Sequence, residues 1–285
     1  MTTKQDLGSY GVWRWQSGVD AAFAAAVERL GYGTLWVGGS PAADLEVVER
    51  ALDATERIVV TTGIVNIWRE DATEVAASFH RIQGRHPGRF VLGIGSGHRE
   101  ATPERVRPLA ALREYLDVLE TEGVPSDQLL LAALGDKTLA LAAERTLGAH
   151  PYLTVPAHTA HAREILGDAL LAPELKVVVN DSQDEARAIA RAYLKRYFGL
   201  SNYVGALVRF GVDEAEFDGG GTDALIDRVA ANPTPAAAAA GLREHLDAGA
   251  DHVCVQALGD DPIGSLEAIA DELRLRTVGA DGISA

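Results

Sequence analysis

The residues best suited to chemistry fall in one glycine-rich run, Leu92-Gly93-Ile94-Gly95-Ser96-Gly97-His98. Glycines at alternate positions strip side chains from one face of an extended segment, so a planar ligand or a phosphate can approach the backbone closely. A barrel strand that needs small residues to pack would show the same spacing. His98 closes the run where a dinucleotide-binding fingerprint would place a glycine, so that fingerprint is excluded. Its imidazole can exchange a proton near neutral pH, which suits it to act as acid or base during hydride transfer. A surface histidine capping a helix is the alternative.

A second cluster is Thr61-Thr62-Gly63-Ile64-Val65-Asn66-Ile67-Trp68-Arg69. Gly63 interrupts a β-branched run, which predicts a bulge or the close approach of another group. Asn66, Trp68 and Arg69 then supply a donor, a flat wall and a charge. Trp13 and Trp36 also fall near predicted strand ends, and tryptophans so placed fit either a ring-binding site or core filling. Gly135-Asp136-Lys137 opens a helix and is an anion site in principle, with Asp136 opposing that role; Thr154 adds a hydroxyl. His80, His86, His245 and His252 read as helix or loop positions, His150 as a strand residue, and His158 and His161 as helical. They are too scattered for a metal site, and none is expected.

These residues need a frame that brings them together. Short apolar runs alternate with helical patterns, predicting strands at Tyr10–Trp13, Thr34–Gly38, Ile58–Val65, Phe90–Gly95, Leu129–Leu134, Ala149–Leu153, Lys176–Asn180 and His252–Ala257. Continuous rather than alternating hydrophobicity marks parallel strands covered by helices. Helix starts are readable at Asp71 with Glu74, at Thr102-Pro103, and at Ser182 with Glu185, the last a capping box. Phe23, Val27 and Leu30 form one apolar stripe. Gly31, Gly148 and Gly249 stand where helices turn into strands. Eight strand–helix units predict a (β/α)8 TIM barrel spanning residues 1–285 as one domain, with its active site at the carboxyl ends of the strands. The stretch from Asp181 to Asp251 shows only helical pattern, at Gln183–Phe198, Asn202–Phe210, Asp223–Ala231 and Pro235–Ala248, with a mobile turn at Asp218–Gly221. It reads as an elaborated seventh connection that either enlarges the scaffold or covers the open end. The alanine run Ala236–Ala240 reads as helix surface.

Composition narrows the partners. With 41 acidic against 26 basic residues, the formal charge is −15, a field that repels phosphate backbones and argues against nucleic acid. The mean hydropathy is +0.01, and the longest apolar runs are strand-length, well short of the roughly 20 residues that cross a bilayer. The start of the chain lacks an apolar signal region, and Cys254 is the one cysteine, so no internal disulfide forms. A cytoplasmic protein acting on a small-molecule substrate is expected, with neither membrane nor nucleic-acid partner.

Three segments carry a resemblance. Gly31-Tyr32-Gly33-Thr34-Leu35-Trp36-Val37-Gly38, Thr62–Arg69 and Arg89–Gly97 are similar to successive barrel motifs of the luciferase-like monooxygenase superfamily. Leu131-Ala132-Ala133-Leu134-Gly135, followed by Ala149-His150-Pro151-Tyr152, resembles its branch of coenzyme F420-dependent oxidoreductases. The resemblance covers Gly8 to Asp271. It implies a deazaflavin ring at the strand carboxyl ends, backed by a bulge with a non-proline cis peptide matched here by Thr62–Gly63. It further implies cofactor contacts from Thr62, Gly63, Ser96, Gly97, His98, Ala133, Leu134, Gly135 and Thr154, and a homodimer. His98 is then the expected catalytic acid or base, with Trp13, Ser40, Asn66 and Trp68 around the substrate. Two departures concern the reaction: Gly39-Ser40 replace an acidic residue and a histidine after strand two, and His98 replaces a glutamate after strand four. An FMN-dependent monooxygenase is the nearest alternative. A cofactor-binding barrel without turnover is another, and a non-redox barrel enzyme is disfavoured because no lysine or metal cluster sits at the strand ends.

Overall fold

A computed structural model describes residues 7–98 and 107–275; the Thr102-Pro103 helix start lies outside the described residues. Eight parallel strands close into a barrel: β1 Tyr10–Trp15, β2 Thr34–Gly38, β3 Val59–Gly63 resumed as Val65–Asn66, β4 Phe90–Gly95, β5 Leu129–Leu131, β6 Gly148–Ala149, β7 Leu170–Leu171 resumed as Glu174–Val177, and β8 Val253–Ala257. Closure runs through β7. Its first half pairs with β6 and its second with β8. At the break, Ala172 N–H donates to Ala149 O and Cys254 N–H donates to Pro173 O, both at 2.9 Å. The predicted α/β barrel is the observed fold.

Helices α1 (Ala21–Arg29), α2 (Glu46–Asp53), α3 (Ala72–Arg85), α4 (Pro108–Thr121), α5 (Asp136–Arg145), α6 (Pro156–Leu166) and α11 (Pro262–Leu273) form the outer layer. Asp20 caps α1 by accepting from Phe23 N–H, and the stripe Phe23, Val27, Leu30 is buried against the sheet. The connection after β7 holds α7 (Gln183–Leu194), α8 (Ser201–Arg209), α9 (Asp223–Val229) and α10 (Pro235–Asp247). It also holds a short pair, Ala230–Ala231, hydrogen-bonded to β7, which the sequence pattern did not predict.

Several local expectations are corrected. The reciprocal capping box is Asp213 with Glu216; Ser182 accepts from Glu185 N–H at 3.3 Å. Ala238 and Ala239 are buried rather than surface, because the alanine helix packs onto the barrel where larger side chains would not fit. Gly148 lies within β6, and a Cβ on it would overlap Leu170 O. Strand seven begins earlier than predicted: Pro173 breaks its apolar pattern, and Glu174 and Lys176 look like surface residues but are paired inside at 2.7 Å.

Candidate active site

Register locates the bulge that Gly63 predicts. Val60 and Thr61 pair with Phe90 and Val91, but Val65 and Asn66 pair with Ile94 and Gly95. Residues 62–64 of β3 therefore face two residues of β4, the definition of a bulge. Thr62 Oγ1 fills the missing rungs, donating to Gly93 O at 2.7 Å and accepting from Gly93 N–H at 2.9 Å. The cis peptide is Gly63–Ile64, not Thr62–Gly63; the extra residue turns over one bond later because the Thr62 side chain is tied to β4.

The bulge forms part of the wall of a cavity of ≈ 610 Å³ at the carboxyl ends of the strands. Of the sequence-predicted residues, Trp13, Ser40, Gly63, Asn66, Ser96, Gly97, His98, Ala133, Leu134 and Gly135 line it. Three do not. Thr62 is buried in its bonds to Gly93, Thr154 is buried behind the wall at 3% exposure, and Trp68 turns its indole N–H to Ser96 O at 3.0 Å.

The glycine run has a mixed role. A Cβ at Gly93 would overlap Thr62 O, and one at Gly95 would sit 2.9 Å from Ala132 Cβ and Ile64 Cγ1. Both glycines admit the protein's own atoms, as the packing alternative requires. Gly97, at φ +54°, turns the chain in the left-handed region and faces the cavity. Gly38 and Gly39 similarly make room for the rings of Trp13 and Trp15.

Several lining residues were not singled out from sequence: Trp15, His150, Tyr152, Arg196, Tyr197 and Tyr203. The last three arrive from the α7–α8 segment, so the elaborated connection walls the mouth. A local density of aromatic residues from Tyr193 to Tyr203 was the available signal. Tyr152 OH donates to Gln256 Oε1 at 2.9 Å and lies 3.1 Å from the hydroxyls of Tyr193 and Tyr197. Arg196 donates to Tyr197 OH at 2.6 Å and stacks over Trp15. Beneath this network Lys176 Nζ sits 3.8 Å from the Tyr152 ring centroid, its charge balanced by Glu174. Burial pushes the Glu174 carboxyl above its ordinary range despite Lys176.

Electrostatics at the mouth are the reverse of the whole chain. Among the described residues, Arg69 and Arg196 line the cavity and no carboxylate does. Asp136, at the start of α5, is held well below the usual carboxylate range by Arg209 at 2.9 Å and by His161. Its charge is therefore paired with that of Arg209. The His98 ring reaches Asn202 Oδ1 at 3.3 Å and Tyr203 OH at 3.4 Å.

Comparison with known proteins bears on this geometry. Over residues 20–123 the chain matches the family model described as luciferase-like monooxygenase. That is the family read from the motifs. The barrel fold is shared with solved structures over nearly the whole chain. An F420-dependent secondary alcohol dehydrogenase, solved with an F420–acetone adduct, superposes with TM-score 0.73 at 15% identity, covering 96% of this chain and 99% of that one. The coenzyme F420-dependent tetrahydromethanopterin reductase of Methanopyrus kandleri gives 0.71 at 17% identity, covering 94% and 99%. The oxygenating constituent of 3,6-diketocamphane monooxygenase from Pseudomonas putida, in complex with FMN, gives 0.69 at 14%, covering 93% and 97%. No curated protein matches the sequence. No helix among the described residues is long and apolar enough to cross a membrane.

Proposed function

We propose that this chain is an oxidoreductase that holds a flavin-type ring in the barrel mouth, with coenzyme F420 as cofactor and an organic molecule as its redox partner. The observation that carries the reading is the make-up of the mouth. Gly63 and Gly97 present backbone without side chains, Ile64 and Ala132–Leu134 add an apolar wall, and among the described residues two guanidiniums line the mouth and no carboxylate does. Such a surface fits a flat, anionic ligand. Gly63, Ser96, Gly97, Ala133, Leu134 and Gly135 would hold the cofactor, and Trp13, Ser40 and Asn66 would face the substrate.

When bound, the ring supplies hydride transfer. The protein supplies orientation, and His98, braced by Asn202 and Tyr203, takes or gives the substrate proton. FMN is the second reading, favoured by Arg69 and Arg196, which suit a terminal phosphate. Titration of the purified protein with each cofactor separates the two: F420 binds more tightly on the first reading, FMN on the second, and binding of neither overturns both. His98→Ala lowers turnover by about 100-fold or more with little change in cofactor affinity; unchanged turnover removes the role given to His98.

A further inference from the structure

Two polar atoms at the floor of the cavity have no partner within the protein: Trp13 Nε1 and His150 Nε2. Their residues are only 3% and 2% exposed, and an unmet buried donor or acceptor is costly. The chemical character of each is settled by its surroundings. An indole nitrogen can only donate. His150 Nδ1 lies 2.7 Å from Ala172 O, which can only accept, so Nδ1 carries the hydrogen and Nε2 presents a lone pair. Trp36 stacks on the His150 ring at 4.3 Å and 24°, which fixes its plane. The Trp36 N–H is itself engaged with His252 Nε2.

Both residues line the same cavity beside Gly63. A Cβ built on Gly63 would lie 2.9 Å from Trp13 Nε1 and 3.4 Å from His150 Nε2. One unmet donor and one unmet acceptor facing the same cavity match a hydroxyl, which accepts through a lone pair and donates its hydrogen. A carbonyl would use Trp13 alone, and a carboxylate would face the His150 lone pair. Burial pushes the His150 pKa down to about 4, so the lone pair persists at neutral pH.

We propose that Trp13 and His150 form a hydroxyl-recognition subsite beside Gly63, so that this site takes hydroxyl-bearing organic substrates. The proposal rests on the mouth being the substrate site of the enzyme described above.

The test follows the Trp13 indole N–H and the His150 Nε2 resonances of ¹⁵N-labelled protein during addition of glycerol, then of dimethyl sulfoxide, which only accepts. Glycerol is expected to move both resonances and the sulfoxide only that of Trp13. Glycerol moving neither, as when an ordered water already holds both atoms, overturns the proposal. So does F420 abolishing the response to glycerol, since the ring would then occupy the floor. If both respond to glycerol while neither cofactor binds, the subsite stands and the cofactor reading falls. His150→Leu should weaken glycerol binding roughly tenfold, the worth of one lost hydrogen bond, whereas His150→Gln, which keeps an acceptor, should recover most of it. Equal binding by wild type and His150→Leu also overturns it.

Discussion

The floor and the rim of the cavity are built to opposite standards. Trp13, Gly63 and His150 come from the ends of β1, β3 and β6, and their positions follow from barrel packing. Arg196, Asn202 and Tyr203 come from one inserted connection, with Arg196 and Asn202 exposed. The floor thus combines fixed rings with unmet polar atoms, whereas the rim combines partnered polar groups with charge. On the proposed function, recognition that demands fixed geometry would fall to the floor, and adjustment to different substrates to the rim.

Substitution should separate the two regions. The largest expected effect lies under the floor: Lys176→Met leaves Glu174 as an unpaired charge at 0% exposure and should cost about 3–5 kcal/mol of stability. Arg196→Met, whose guanidinium has no carboxylate partner among the described residues, should cost under about 1 kcal/mol. Urea unfolding of both variants measures the difference, and equal losses would break the comparison. A smaller contrast comes from glycines. Gly93→Ala must push a methyl into Thr62 O and should cost about 1–3 kcal/mol. Gly135→Ala has open space around it and a negative φ, so its thermal midpoint should barely move.

Acid titration gives a graded effect, spread over a pH window rather than lost at a single substitution. Burial lowers the pKa of His150, His245 and His252 from 6.5 to about 4. Between those values the unfolded chain binds protons that the folded chain refuses, so stability is complete above pH 6.5 and falls as pH drops toward 4. Each histidine contributes a slope of at most about 1.4 kcal/mol per pH unit in that window. His150→Gln should remove one such share from stability measured against pH, and an unchanged slope would contradict the neutral buried state on which the floor depends.

How much of this was legible varies with what sequence can carry. The barrel was, because continuous apolar runs and capped helices are local signals. The bulge at Gly63 was too, since a glycine inside a β-branched run weakens the strand unless the backbone there must bend or admit a neighbour. Strand seven was placed late because Glu174 and Lys176 hide a core pair behind surface-type residues. Gly93 and Gly95 were read as open to ligand, yet each is filled by a neighbour that only the register of β3 and β4 brings close. His150 stood inside a segment of the resemblance but was given no role, because its importance arises from which nitrogen Ala172 engages, a tertiary fact.

The central claim is that a flat redox ring lies across the carboxyl ends of β3, β4 and β5. A crystal structure of the protein soaked with coenzyme F420, or with FMN if that binds more tightly, tests it directly. The account predicts the ring in van der Waals contact, about 4 Å, with the Gly63–Ile64 backbone and with Ala132–Ala133. A ring bound elsewhere on the barrel, with this cavity left to solvent, would contradict it.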